Sequence, residues 1–99
     1  AAKPPLRVME VICETIALLE EMQVKGSGLL LSDVGCGAAL SRGALEAASH
    51  TVFVNTRSMQ DRVYAASVNE RAKALMDEWI PRAEALSRRV SAHLQGEEA

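Results

Sequence analysis

Ninety-nine residues suffice for one small domain and exclude large catalytic folds. Hydrophobic residues form 48% of the chain and aromatic ones only 3%, while alanine is abundant, a balance that favours helix. A net charge of -2 argues against nucleic-acid binding through a basic patch, and Asp33, Arg42 and Glu46 interrupt the longest apolar run, which argues against a membrane span.

Pro4 and Pro5 suit the first turn of a helix, where a missing N–H costs nothing. Leu6, Met9, Ile12, Cys13, Ile16, Leu19 and Met22 then recur at helical spacing, with Glu10, Glu14, Glu20 and Glu21 between them. The spacing predicts a first helix from about Pro5 to Val24, ended by Lys25 and Gly26. Gly26-Ser27-Gly28 reads as a turn. It could also nest an anion at the next helix N-terminus, though a plain flexible turn is the simpler reading.

Ser32 and Asp33 can each cap a second helix. Gly35, Ala39, Gly43 and Ala47 follow at successive i+4 positions and form a narrow ridge of small residues, which lets another helix approach closely. A helix from this cap to about Asn55 is roughly 35 Å long. Asn55 to Tyr64 is mixed and polar and reads as a connection with a short helical turn. Ser67-Val-Asn-Glu70 has the form of a capping box opening the last helix. That helix carries Ala72, Leu75, Met76, Trp79, Ala83, Leu86 and Val90 on one face, and Pro81 is expected to kink or break it near Trp79 or Ile80. Gly96 and the acidic tail close the chain.

The segment Leu29-Leu-Leu-Ser-Asp-Val-Gly-Cys-Gly37 admits a second reading. It resembles the first motif of methyltransferases that use S-adenosylmethionine, where a strand ends in a Gly-x-Gly turn. Ala39 replaces the third glycine, Asn55 stands where an acid would hold the ribose, and only helical patterns follow. The all-α reading is therefore preferred: a helical bundle over residues 1–99 with one long central helix, assembled as an oligomer because three helices cannot cover so apolar a segment as Val34 to Val54.

Cys13 and Cys36 are too few for a disulfide framework and read as reduced, buried thiols of a cytoplasmic protein. His50 and His93 lack partners at metal-ligand spacing and read as surface or interface histidines, so no metal is expected. The methionines read as core filler, and Arg82, Arg88 and Arg89 as a solvated face. Asp33 is the best candidate for chemistry. Two possible caps stand side by side, so one side chain can be free for a ligand, and a helix start would hold the carboxylate ionised. Asn55 can hydrogen-bond a ligand or cap the next turn. A continuous helix would separate these two residues by roughly 33 Å and bring them together only across a subunit boundary.

Pro5-Leu6 opening a helix, Gly26, Ser32-Asp33-Val-Gly35, Ala44-Leu-Glu-Ala-Ala48, Val52-Phe-Val-Asn55-Thr-Arg-Ser-Met59-Gln-Asp61-Arg62 and an Ala- and Arg-rich last helix occur in an order that resembles the cyclodeaminase/cyclohydrolase family. The family includes the cyclodeaminase domain of formiminotransferase-cyclodeaminase and the methenyltetrahydrofolate cyclohydrolases of that fold. The similarity runs from about Ala2 to Leu94 and covers the C-terminal half of such a domain. Nothing here matches the glycine-rich helix of the family's N-terminal half, and Ser27 and Thr51 stand where members often have Asn. The resemblance implies an all-α homo-oligomer, or a chain that pairs with the missing N-terminal half. It also implies ring closure or opening on a one-carbon derivative of tetrahydrofolate, as a lyase or hydrolase, with no nucleic acid, membrane or metal involved. By the same resemblance Asp33 would act on the substrate as general acid/base or electrostatic anchor, with Ser32, Asn55 and Asp61 as substrate contacts. A non-catalytic oligomer that retains the scaffold is the alternative.

Overall fold

A computed structural model describes residues 3–25 and 28–96, except for the side chains at positions 3, 28 and 29. It contains three helices: α1 (Lys3–Lys25), α2 (Gly28–Arg57) and α3 (Arg62–Leu94). There is no strand among the described residues. The expected turn at Gly26-Ser27, the anion nest built on it and the tail at 97–99 lie outside the described residues.

The helices run up, down and up, because short connections force antiparallel neighbours. The bundle is a rod of 53 × 19 × 16 Å. Its core follows seven-residue repeats, the period at which long helices pack side by side. Met9, Cys13 and Ile16 supply the α1 face, Leu31, Ala38, Leu45 and Val52 that of α2, and Ala65, Val68, Ala72, Leu75, Ala83, Leu86 and Val90 that of α3. One cluster joins Met9, Cys13, Leu45, Val52, Val68, Ala72 and Leu75; a second, toward the other end, joins Leu31, Val34, Ala38, Leu86 and Val90.

Several sequence expectations are corrected here. The methyltransferase reading fails, since Gly35 and Gly37 lie inside a continuous helix and the only positive φ among the described residues belongs to Gly96. The second helix starts at Gly28 rather than at Ser32 or Asp33, because extending it buries Leu31 against α3. It is thus about 45 Å long, and α3 is longer still. α3 begins at Arg62, so the supposed capping box lies in its body; Ser67 Oγ donates instead to the Tyr64 carbonyl at 2.7 Å. α3 also passes through Pro81 without breaking. Pro81 faces solvent, as does Asp77 four residues earlier, so water can satisfy the carbonyl that proline leaves without a donor. Leu75 on one side and Ala83 and Leu86 on the other hold both halves in the core.

Candidate functional site

Ser32 and Asp33 occupy the second turn of α2, and both side chains are exposed. Neither is an N-cap. Asp33 lies five residues past the start of α2 and so does not stand at the helix start that the sequence suggested. What remains is an exposed carboxylate on the outer side of α2, turned away from the core. The small-residue ridge does not act as one surface. Gly35 faces α3, where a Cβ would stand 2.8 Å from Val90 Cγ1, whereas Gly43 has open space around it and Ala39 and Ala47 are exposed. Gly37 faces Leu19 of α1. Cys36, expected to be buried, is exposed.

The other candidates sit at the opposite end of α2. Asp61 takes an extended conformation and accepts a hydrogen bond from the Tyr64 backbone N–H at 3.0 Å, so it is the N-cap of α3. Arg62 donates from Nη1 to the carbonyls of Thr56 and Met59, at 2.8 and 2.9 Å, and closes the C-terminus of α2. The buried Thr56 hydroxyl donates to Asn69 Oδ1 at 2.6 Å and ties α2 to α3. The Asn55-to-Arg62 run is thus largely the carpentry of a helical corner. Asn55 is half-buried there. α2 is unbroken, so Asn55 lies roughly 33 Å from Asp33. The chain alone does not bring the two together.

Arg82 was not anticipated as more than a solvated side chain. Its Nε and Nη2 donate to the two carboxylate oxygens of Glu20 on α1, at 3.1 and 2.6 Å. Its guanidinium carbon stands 3.8 Å from the centre of the Trp79 ring, and Glu78 adds a bond at 3.1 Å. Hydrogen bonding to Arg82 holds the Glu20 carboxyl below its usual range, and the same bond raises Arg82. Nearby, burial pushes the Cys13 thiol up to about 11, with Glu78 adding to it. A thiol so protonated is a packing group rather than a nucleophile. Sequence reasoning missed the Arg82 cluster because Glu20 lies far from it in the chain. The Glu78-to-Arg82 and Trp79-to-Arg82 spacings were the local signals.

Two apolar grooves run along the outer seam of α1 and α2. One is lined by Leu18, Met22 and Leu30 with Glu21 and Lys25 at its side, the other by Pro4, Pro5, Val8, Ala48 and Thr51. Leu40 and Val54 project from α2 beyond them, 74% and 69% exposed. Met22 belongs to this surface and not to the core. No helix among the described residues is long and apolar enough to cross a membrane.

A family profile described as formiminotransferase-cyclodeaminase matches residues 1–74, so the match takes in Ser32, Asp33, Asn55 and Asp61 and ends within α3. No curated protein and no solved structure matches the chain.

Proposed function

From the premise that the chain belongs to the formiminotransferase-cyclodeaminase family, we propose that it serves one-carbon tetrahydrofolate chemistry in the cytoplasm as a cyclodeaminase- or cyclohydrolase-like protein. Its site would be completed by a second polypeptide surface. The observation that carries this reading is Asp33, an exposed carboxylate on the outer side of α2, within the matched residues. Ring closure or opening at a folate one-carbon unit passes through cationic nitrogen-bearing species. An ionised carboxylate stabilises such charge and accepts a hydrogen bond from a protonated pterin or formimino nitrogen. Ser32 precedes it on the same turn and can add a hydroxyl. Asn55 can contribute only from a neighbouring chain, given its distance along α2. Asp61 stands apart from these residues in the proposed site, since one of its carboxylate oxygens accepts from the Tyr64 N–H of the α3 cap.

A scaffold-only protein is the second reading. It is favoured by the two outer grooves, which are mainly apolar and lack Asp33. Titration with 5,10-methenyltetrahydrofolate and with 5-formiminotetrahydrofolate separates the two. Asp33→Asn preserves the shape and removes the charge, so binding should be lost while helicity stays. Equal binding by wild type and variant removes Asp33 from the site. Binding by neither supports the scaffold reading.

A further inference from the structure

A cleft opens between α2 and α3. It holds about 250 Å³ and is lined by Ala39 and Arg42 of α2 and by Ala83, Glu84, Ser87 and Arg88 of α3. Ala39 and Arg42 stand about one turn apart, as do Glu84, Ser87 and Arg88, so each set shares one helix face. The space exists because alanines stand where longer side chains would fill it, and the fully buried Ala83 closes the floor. Arg42 follows Asp33 by about two and a half turns, which puts it on the opposite side of α2 from that carboxylate.

Arg42 carries the signal. Its Nε is buried, and among the described residues it is the one buried side-chain polar atom with no hydrogen-bond partner. The carboxylate it faces, Glu84 Oε2, stands 3.6 Å away, beyond hydrogen-bond reach. An unpaired buried donor is costly and calls for an acceptor from outside the chain. Arg88 enters no ion pair among the described residues. Two guanidinium groups and the Ser87 hydroxyl therefore meet in one cleft. A single carboxylate, Glu84, stands against them, so the cleft is positive within a chain of net charge -2. A lone water would satisfy Nε; the second guanidinium and the hydroxyl beside it select an anion.

From this arrangement we infer that the α2–α3 cleft is an anion site that takes a phosphate group, with Arg42 as its buried anchor. Guanidinium nitrogens form a fixed fork that matches the edge of an oxyanion. A phosphate group offers three acceptor oxygens, enough for Arg42, Arg88 and Ser87 Oγ together, whereas a carboxylate offers two. Glu84 is 40% exposed and only loosely held by Arg42, so it can turn outward into water as the anion arrives. The volume lies just under the roughly 300 Å³ at which small-molecule sites begin, so the phosphate and the first atoms it bears fill the cleft. The site is independent of the Asp33 reading.

The test titrates the whole chain with inorganic phosphate and with phenyl phosphate at fixed ionic strength, and reads the thermal midpoint and the heat of binding. Both midpoints should rise with ligand, and succinate should bind about tenfold more weakly or worse. The tighter of the two phosphates names the source, free anion or monoester, and either supports the site. Arg42→Lys keeps the charge and removes Nε, so it should weaken phosphate by about tenfold or more. Ala39→Leu fills the cleft from its exposed side and should abolish binding while helicity stays. Glu84→Gln removes the competing carboxylate and should tighten binding severalfold. Arg88→Gln should weaken it, whereas Arg57→Gln, which changes the net charge as much at the far end of α2, should not. The site is overturned by any of four results: no phosphate-dependent shift at millimolar concentration, succinate binding as well as phosphate, affinity unchanged by both Arg42→Lys and Ala39→Leu, or equal losses in Arg57→Gln and Arg88→Gln. Weaker phosphate binding by Glu84→Gln would overturn it as well, because the carboxylate would then be part of a site for a cation.

Discussion

Gly35 and Val90 meet where α2 runs beside α3, so closely that a Cβ on the glycine would stand 2.8 Å from Val90 Cγ1 and 3.2 Å from Val90 Cβ. Valine is short and stiff at χ1, so it cannot swing aside. Replacing Gly35 by Ala raises helix propensity by about 1 kcal/mol but overpacks this contact by about 1–3 kcal/mol. Gly35→Ala is therefore expected to leave stability unchanged or lower it by up to about 2 kcal/mol. Gly37→Ala meets the tip of Leu19 at 3.1 Å, a longer side chain that can yield, and should stabilise by about 0.5–1 kcal/mol. Urea midpoints of the two variants decide the matter: a gain for Gly35→Ala equal to that for Gly37→Ala would show that the Val90 contact is loose.

The bond between Arg82 and Glu20 makes stability depend on acid. The folded Glu20 carboxyl titrates below its usual value because it accepts from Arg82. Its contribution is therefore complete above the unfolded carboxylate range, near about 4.3, and is lost as pH falls through the lower folded value. Arg82 is 40% exposed, so solvent screening limits the pair to about 1 kcal/mol. Glu20→Gln should lower stability at pH 7 and flatten its decline between about pH 5 and 3. Denaturation curves with the same acid slope in wild type and Glu20→Gln would refute the assignment.

Asp61 should behave as a cap and not as a substrate contact. Asp61→Ala removes the acceptor for the Tyr64 N–H and should cost about 1 kcal/mol. Asp61→Ser keeps a capping oxygen and should recover most of it. Folate titrations of Asp61→Ser should match wild type, and a loss of affinity there with full stability would return Asp61 to the site.

Cys13 is 4% exposed and its thiol is held protonated up to about 11, chiefly by burial. A thiol reagent at pH 8 should modify it only on unfolding, at a rate that rises with denaturant. Cys36 is exposed in the chain and should react in the native protein. Prompt native labelling of Cys13, seen by peptide mass, would show that the α1 face opens readily.

Much of the fold was legible in the amino acids. The spacing from Leu6 to Ile16 and from Ala72 to Val90 identified the core faces of α1 and α3, because a helix that buries one stripe must repeat its apolar residues with the helical turn. The order of motifs from Pro5 to Arg62 also carried the family. Local chemistry was less decisive, since several residues could cap and only packing chooses among them. Burial of Leu31 drew the start of α2 back to Gly28 and left Ser32 and Asp33 uncapping and exposed. Asp61 took the N-cap of α3, and Ser67 did not. Pro81 was accommodated because burial on both sides outweighed one missing hydrogen bond.

The site divides in the same way. Composition and motif singled out Asp33 and Asn55, and the rise of a helix per residue already required them to lie far apart if α2 was continuous. Whether α2 was continuous could not be read from its own residues, because glycines at 35 and 37 suit a strand turn as well as a tight helix contact. Val90 and Leu19 decided it by packing against those glycines from helices remote in sequence. Arg82 and Glu20 became partners for the same reason. The sequence determined which residues could bury and which could react; only the three-helix packing decided which of them met, because contact depends on the placement of whole helices.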